Sequence, residues 1–190
     1  MENLLERIST PTLNVEKFKN VLLYILERCA GKPNVGEKIL GMLLYFSDFN
    51  NYEIYEEQLT GATYRKLPNG PVPDELELIL FQMVEERQLH RVITAYQGSP
   101  QTRYMPFVKP DLTKLLASEV GVIDKVIAQM GDWSETMIRR YAHGDRPWEV
   151  TADNEELNYE LAFYRGVPYT VRVYEEDERE FLSVSTQKFL

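Results

Sequence analysis

From Ile39 to Phe49 the chain reads ILGMLLYFSDF. Ile39, Met42, Leu43 and Phe46 fall on one helical stripe, and Leu40 and Leu44 fall off it. A helix that is apolar on more than one side has to be wrapped by other elements, because no broad face of it suits water. This second helix is therefore expected at the centre of the fold. Asn34, with Glu37 three positions later, fits its N-terminal cap. Ser47 and Asp48 fit its end, since both side chains compete for backbone hydrogen bonds. The polar stretch NNYEIYEEQ that follows then reads as a surface connection, with Tyr52 and Tyr55 as candidate contacts.

The other elements follow from the same periodicities. Val15, Phe18, Leu22, Ile25, Leu26 and Cys29 make an amphipathic first helix, capped by Asn14 and stopped at Gly31. A third helix is expected from Pro73 to Gln88, with Leu76, Ile79, Leu80, Met83 and Val84 inward and Leu78 and Phe81 broadening the apolar face. HRVITAY and TRYMPFV, separated by QGSPQ, read as a β-hairpin with a loop longer than two residues. Ser118 and Ser134 fit the caps of a fourth and a fifth helix, the latter turning Met137, Ile138 and Tyr141 inward. Beyond Trp148, NYELAFYRGVPYTVRVY suits a short helix and then an extended piece from Val167 to Val173, since Gly166 and Pro168 forbid one continuous element. The expected fold class is α+β, helix-rich, with about five packed helices and a small β-hairpin. With no repeat or low-complexity linker, residues 1–190 are expected to form a single domain.

Composition mainly excludes. With 190 residues and 44% of them hydrophobic, the chain can bury a core without a disulfide or a metal, and its single cysteine, Cys29, lies on an apolar stripe where an inert thiol is expected. The start MENLLERISTP does not read as a signal peptide and no run reaches membrane-spanning length, so a soluble, cytoplasmic protein with no membrane partner is expected. A formal net charge of −9 repels a phosphate backbone. Three helices followed by a hairpin outline a winged helix, yet the helix expected from Pro73 to Gln88 carries Asp74, Glu75, Glu77, Glu85 and Glu86, so no direct nucleic-acid partner is expected. The densest acidic block, EEDERE from Glu175 to Glu180, reads either as a solvated end or as a lure for a basic partner.

Catalytic patterns are thin. Of the two histidines, His90 and His143, neither stands in a metal-ligand pattern, and no phosphate- or dinucleotide-binding loop is present. Ser47 and Asp48 with His143 are the one arrangement that fits nucleophilic chemistry, and helix termination explains the first two equally simply. No catalytic residue, metal or cofactor is expected.

Thr60 to Pro73 reads TGATYRKLPNGPVP. Asn69, Gly70 and Pro71 make a turn, because Gly reaches backbone angles closed to other residues and Pro fixes its own φ. LLYFSDF followed by LTG-x-TY-x-x-LP-x-GPVP resembles the Panacea, or SocA-like antitoxin, domain family. Trp133-Ser134, the element HGDRPW from His143 to Trp148, and YELAFYRGVPYTVR from Tyr159 to Arg172 resemble it in the same order. The resemblance covers residues 15–174 and leaves an acidic tail at 175–190. It implies the antitoxin of a bacterial or phage toxin–antitoxin pair whose partner is a cognate toxin protein, neutralised by direct binding. An adaptor that delivers the toxin to a protease, and an uncharacterised enzyme, stay open as alternatives. Trp, Tyr and Arg dominate tight interfaces. On that ground Tyr64, the turn Gly70, Pro71, Val72 and Pro73, Trp148, and the cluster Tyr164, Arg165, Tyr169 and Arg172 are the expected partner contacts. Core packing is the competing reading for each.

Overall fold

The computed structural model describes residues 11–173, so the acidic block Glu175–Glu180 and the tail at 175–190 lie outside it. Helix α1 (Val15–Arg28) begins where the Asn14 side chain accepts from the Lys17 N–H at 3.0 Å. Helix α2 (Glu37–Tyr55) is buried at every position from Ile39 to Glu53, and it packs against α1, β2, β4, α4, α5 and the 3-10 turn Tyr159–Tyr164. The expectation of a central second helix holds, but its ends differ. Gly36 is the N-cap, and Asn34 instead donates to the carbonyls of Gly131 and Trp133, both at 2.9 Å. Ser47 and Asp48 do not end the helix: the Ser47 hydroxyl bonds back to the Leu43 carbonyl at 2.7 Å, a bond available within a helix, and the Asp48 carboxylate finds tertiary donors. The helix runs on to Tyr55, which leaves Tyr52 in the core. The surface connection is shorter than expected: Tyr55, Glu56 and Glu57 are exposed, and Tyr52 is not a surface contact.

Past α2 the chain makes two antiparallel hairpins, β1 (Tyr64–Leu67) with β2 (Gly70–Pro73) and β3 (Leu89–Tyr96) with β4 (Ser99–Pro106). The first is a correction: Pro73 is strand, paired with Tyr64, and α3 (Leu76–Glu85) starts later than its sequence suggests. On α3 Leu76, Ile79, Leu80 and Met83 are buried, whereas Leu78 and Phe81 face solvent. The second hairpin turns on two residues, Gln97 and Gly98, not on a longer loop; both take positive φ (50° and 79°), the geometry that matches strand twist. Its β4 strand lies against α1 and α2.

Helix α4 (Ala117–Met130) starts one residue before Ser118, and its first N–H groups are met by Glu119, whose carboxylate accepts from Leu116 N–H at 2.8 Å. Helix α5 (Glu135–His143) is capped by Ser134 as expected, but Met137 points outward. A short α6 (Arg146–Val150) precedes residues 154–157, which pair with the outer edge of β1 through Lys66 N–H to Glu155, Asn154 N–H to Lys66 and Leu157 N–H to Tyr64. The architecture is α+β, with five helices of seven residues or more and two small sheets among the described residues. No helix among the described residues is long and apolar enough to cross a membrane.

Candidate functional site

Polar side chains buried in the last three turns of α2 organise the region that the sequence marks. Asp48 is buried and accepts from the Thr60 N–H at 2.7 Å, the Thr60 hydroxyl at 2.5 Å and the Tyr64 hydroxyl at 2.6 Å. Burial pushes its carboxyl up to about 6, against the pull of those donors. Tyr64 in turn packs edge-on to Tyr45 and Phe49, and Phe49 stacks on Tyr159 at 4.5 Å. The carboxylate thus ties the start of β1 to α2, and the aromatic rings fill the space around it.

One turn further along α2, Arg165 enters the core completely. Its Nε donates to Asp145 Oδ1 at 2.8 Å and one terminal nitrogen donates to the other Asp145 oxygen, the fork that suits a carboxylate. The remaining nitrogen reaches Asn50 Oδ1 at 2.9 Å and Glu53 Oε2 at 3.2 Å. Tyr45 adds a hydroxyl donor to Asp145 at 2.8 Å. Burial alone would loosen the guanidinium proton, but Asp145, Tyr45 and Glu53 outweigh it and hold Arg165 above its ordinary pKa. Glu53 also accepts from the Thr170 hydroxyl at 2.5 Å and the Val171 N–H at 3.1 Å. Arg172 donates to the Glu53 carbonyl and to Glu56, with its guanidinium over the Phe163 ring at 4.6 Å. Residues 165–172 are therefore strapped onto the C-terminal half of α2 by charge-assisted bonds.

The Gly70–Pro73 motif is an internal fitting. Gly70 has φ +106°, and a Cβ there would stand 3.1 Å from Met42 Sδ. Opposite it, Gly41 leaves room for Val72 and Leu76. Glycine on both sides lets β2 lie close along α2. His143 and Trp148 stack with ring centroids 4.0 Å apart, and the Lys66 ammonium sits 4.2 Å over the indole. Their polar tips, His143 Nε2 and Trp148 Nε1, make no hydrogen bond. Burial first, then the charges of Arg139 and Lys66, press the imidazole below its ordinary pKa despite its bond to the Pro68 backbone.

Among the ten expected contacts, then, Tyr64, Gly70, Pro71, Pro73 and Arg165 are buried, Val72, Trp148, Tyr169 and Arg172 are half-buried, and Tyr164 is 71% exposed. Tyr64 and Arg165 are interior residues because each satisfies a buried carboxylate. They have no surface to offer a partner. The structure gathers Arg165, Tyr169 and Arg172 around α2 and α5, where Tyr169 lies 4.5 Å from Tyr141, and leaves Tyr164 pointing outward from the same strap. Sequence reasoning missed Asp48, Asn50, Glu53 and Asp145. The available signal was a run of polar residues continuing the register of a buried helix.

Nothing catalytic is assembled from these groups. Ser47 is bonded to Leu43, Asp48 to Thr60 and Tyr64, and His143 to the Pro68 backbone while its ring stacks on Trp148, so the three do not form a relay. No group of acidic, histidine and cysteine residues among the described residues is placed to hold a metal ion. A polar cavity of 480 Å³ lies between the β3–β4 tip and the N-termini of α2 and α5. Its charged residues are engaged with each other or with neighbours, Lys38 with Glu135 at 3.0 Å and Glu37 with Tyr104 at 2.9 Å.

The sequence model of the family described as "Antitoxin SocA-like, Panacea domain" matches residues 42–149. The matched span starts within α2, takes in both hairpins and ends in α6, and leaves the Arg165 strap beyond it. No curated protein and no solved structure matches the chain.

Proposed function

The chain belongs to the SocA-like Panacea antitoxin domain family, and on that premise we propose that it is the antitoxin of a bacterial or phage toxin–antitoxin pair, acting as one domain that neutralises its toxin by direct contact. The family match over α2, both hairpins and α4 to α6 is the observation that carries this reading. An assembled active centre would count against it, and the candidate nucleophile and carboxylate are hydrogen-bonded within the core while the imidazole is stacked on Trp148 away from them. Binding then draws on surface, not on bond-making. The contact residues are the outward parts of the strap and its neighbours: Tyr164, with the half-buried Tyr169, Arg172 and Trp148. Tyr64, Gly70, Pro71, Val72, Pro73 and Arg165 hold that surface in place from within.

Co-expression with the product of each adjacent reading frame tests the reading. One neighbour should be toxic alone and harmless with this chain, and the two should co-purify. A full set of neighbours with no toxic member, or with toxicity that this chain leaves untouched, refutes it. Rescue that survives deletion of the housekeeping protease separates blocking from delivery to that protease.

A further inference from the structure

Helix α3 carries an apolar pair on its outer face that the fold does not use. Leu78 is 61% exposed and Phe81 is 62% exposed, one helical turn apart, while Leu76, Ile79, Leu80 and Met83 complete the inner face without them. Glu77 and Glu85 lie on the same outer stripe, at i and i+8, and frame the pair. Neither has an ion-pair partner among the described residues, although many other carboxylates there do: Glu16, Glu86, Asp124, Asp132 and Glu135 each meet a lysine or arginine. The last turn of α3 also runs against helix electrostatics. It ends in Glu85 and Glu86 with no basic residue, whereas carboxylates are disfavoured at the negative end of the macrodipole. Lys19 compensates Glu86 at 2.8 Å; Glu85 stays uncompensated. A local rule broken without an internal gain is the mark of a surface kept for something outside the chain.

We infer that this face of α3 is a docking surface for a basic amphipathic segment of the toxin. The inference rests on the antitoxin reading above and adds the outer face of α3 to the contacts proposed there. The charges choose the occupant. A second copy of the chain would set Glu77 and Glu85 against their own equivalents, the acidic tail would set EEDERE against them, and a nucleic acid would bring phosphates. A segment with one or two apolar side chains to cover Leu78 and Phe81, flanked by Lys or Arg, satisfies both features. Glu85 lies eight residue steps along the helix from Glu77, so those cations should stand about 12 Å apart.

The experiment uses the full chain and the neighbour-encoded toxin identified by co-expression, with affinity measured alongside rescue of growth. Leu78→Ser/Phe81→Ser and, separately, Glu77→Lys/Glu85→Lys should each weaken binding at least tenfold with the melting temperature retained. Ile93→Ser, which alters an equally exposed apolar residue on β3 (72% exposed), should leave affinity unchanged. Wild-type affinity should fall with added salt, and Glu77→Gln/Glu85→Gln should flatten that dependence. Wild-type rescue with unchanged affinity in both α3 variants overturns the inference and leaves the antitoxin reading standing. Absence of rescue by the wild-type chain with every neighbour overturns both. A wild-type dimer in sedimentation that Leu78→Ser/Phe81→Ser converts to monomer assigns the face to a second copy and overturns it as well. The charge variants touch no packed atom, so they decide the matter even if the apolar double variant lowers stability.

Discussion

Replacing Arg165 with methionine separates the two roles that this residue could hold. If it stood at an interface, the variant would fold normally and bind its partner poorly. The structure places its side chain at 0% exposure between Asp145 at 0% and Glu53 at 1%, so the variant strands two carboxylates in the core. Breaking a buried ion pair by removing one partner costs about 3–5 kcal/mol. Tyr45 still donates to Asp145, and Thr170 and Val171 still donate to Glu53, which favours the lower half of that range. For a chain of 190 residues each kcal/mol lowers the melting temperature by about 2–4 °C, so a drop on the order of 6–16 °C is expected. Thermal melts of Arg165→Met and wild type at pH 7 make the measurement. A melting temperature within about 2 °C of wild type refutes the buried network and returns Arg165 to the surface.

Other outcomes follow from the same geometry. Asp48 has its carboxyl raised from 3.8 to about 6, so the folded state binds more protons between those values and stability falls as pH rises through that window, by about 3 kcal/mol; urea midpoints of wild type and Asp48→Asn at pH 4.5 and 7 should diverge, and parallel curves contradict it. Gly70→Ala forces a side chain into φ +106° against Met42 and should cost about 1–3 kcal/mol in chemical denaturation, whereas Gly98→Ala meets no neighbouring atom within 4 Å and carries only the penalty of its positive φ. The Cys29 thiol, pushed up to about 11 by burial, should stay unmodified by a thiol reagent at pH 8 until denaturant is added. The His143 imidazole should titrate below 6.5 by NMR, and a midpoint above that value contradicts its burial against Trp148.

What the sequence made legible was apolar periodicity. The stripe of α1, the all-round apolarity of α2, the β3–β4 hairpin and the Ser134 cap follow from residue patterns whose partners are local or merely greasy. The misreadings share another cause. Ser47, Asp48, Asn50, Asn51 and Glu53 look like the end of a helix because polar residues ordinarily meet water, but each is met inside the fold: Ser47 by Leu43 and Asn51 by Glu57 close by, Asp48 by Thr60 and Tyr64, and Asn50 and Glu53 by the distant Arg165. No single-chain pattern announces a donor more than a hundred residues away. Pro73 misled for a similar reason, since proline suits a first helical turn and a sheet edge alike, and only the pairing with Tyr64 decides between them. The site residues picked for their aromatic and basic character divide between core and surface, and for Tyr64 and Arg165 the buried carboxylates Asp48, Asp145 and Glu53 decide it.

That division separates the residues that fold the domain from those left on its surface. The residues that carry the family resemblance are largely consumed inside: Gly70, Pro71 and Pro73 seat a hairpin on α2, Tyr64 serves Asp48, and Trp148 stacks on His143. A motif used for internal fitting holds a shape and says little about what the shape meets. The exposed positions, among them Tyr164 on the strap and Glu77, Leu78, Phe81 and Glu85 on α3, make no contact that the fold needs, and substitutions there should be neutral to stability within about 0.5 kcal/mol. On the proposed docking, recognition and folding fall on separate residues of α3: its inner face, Leu76, Ile79, Leu80 and Met83, is fixed by the core, and its outer face is left to the partner. Exchanging the four outer residues for a neutral polar set should therefore abolish toxin rescue at an unchanged melting temperature, and a variant that loses stability along with rescue would show that the two functions are not separable on this helix.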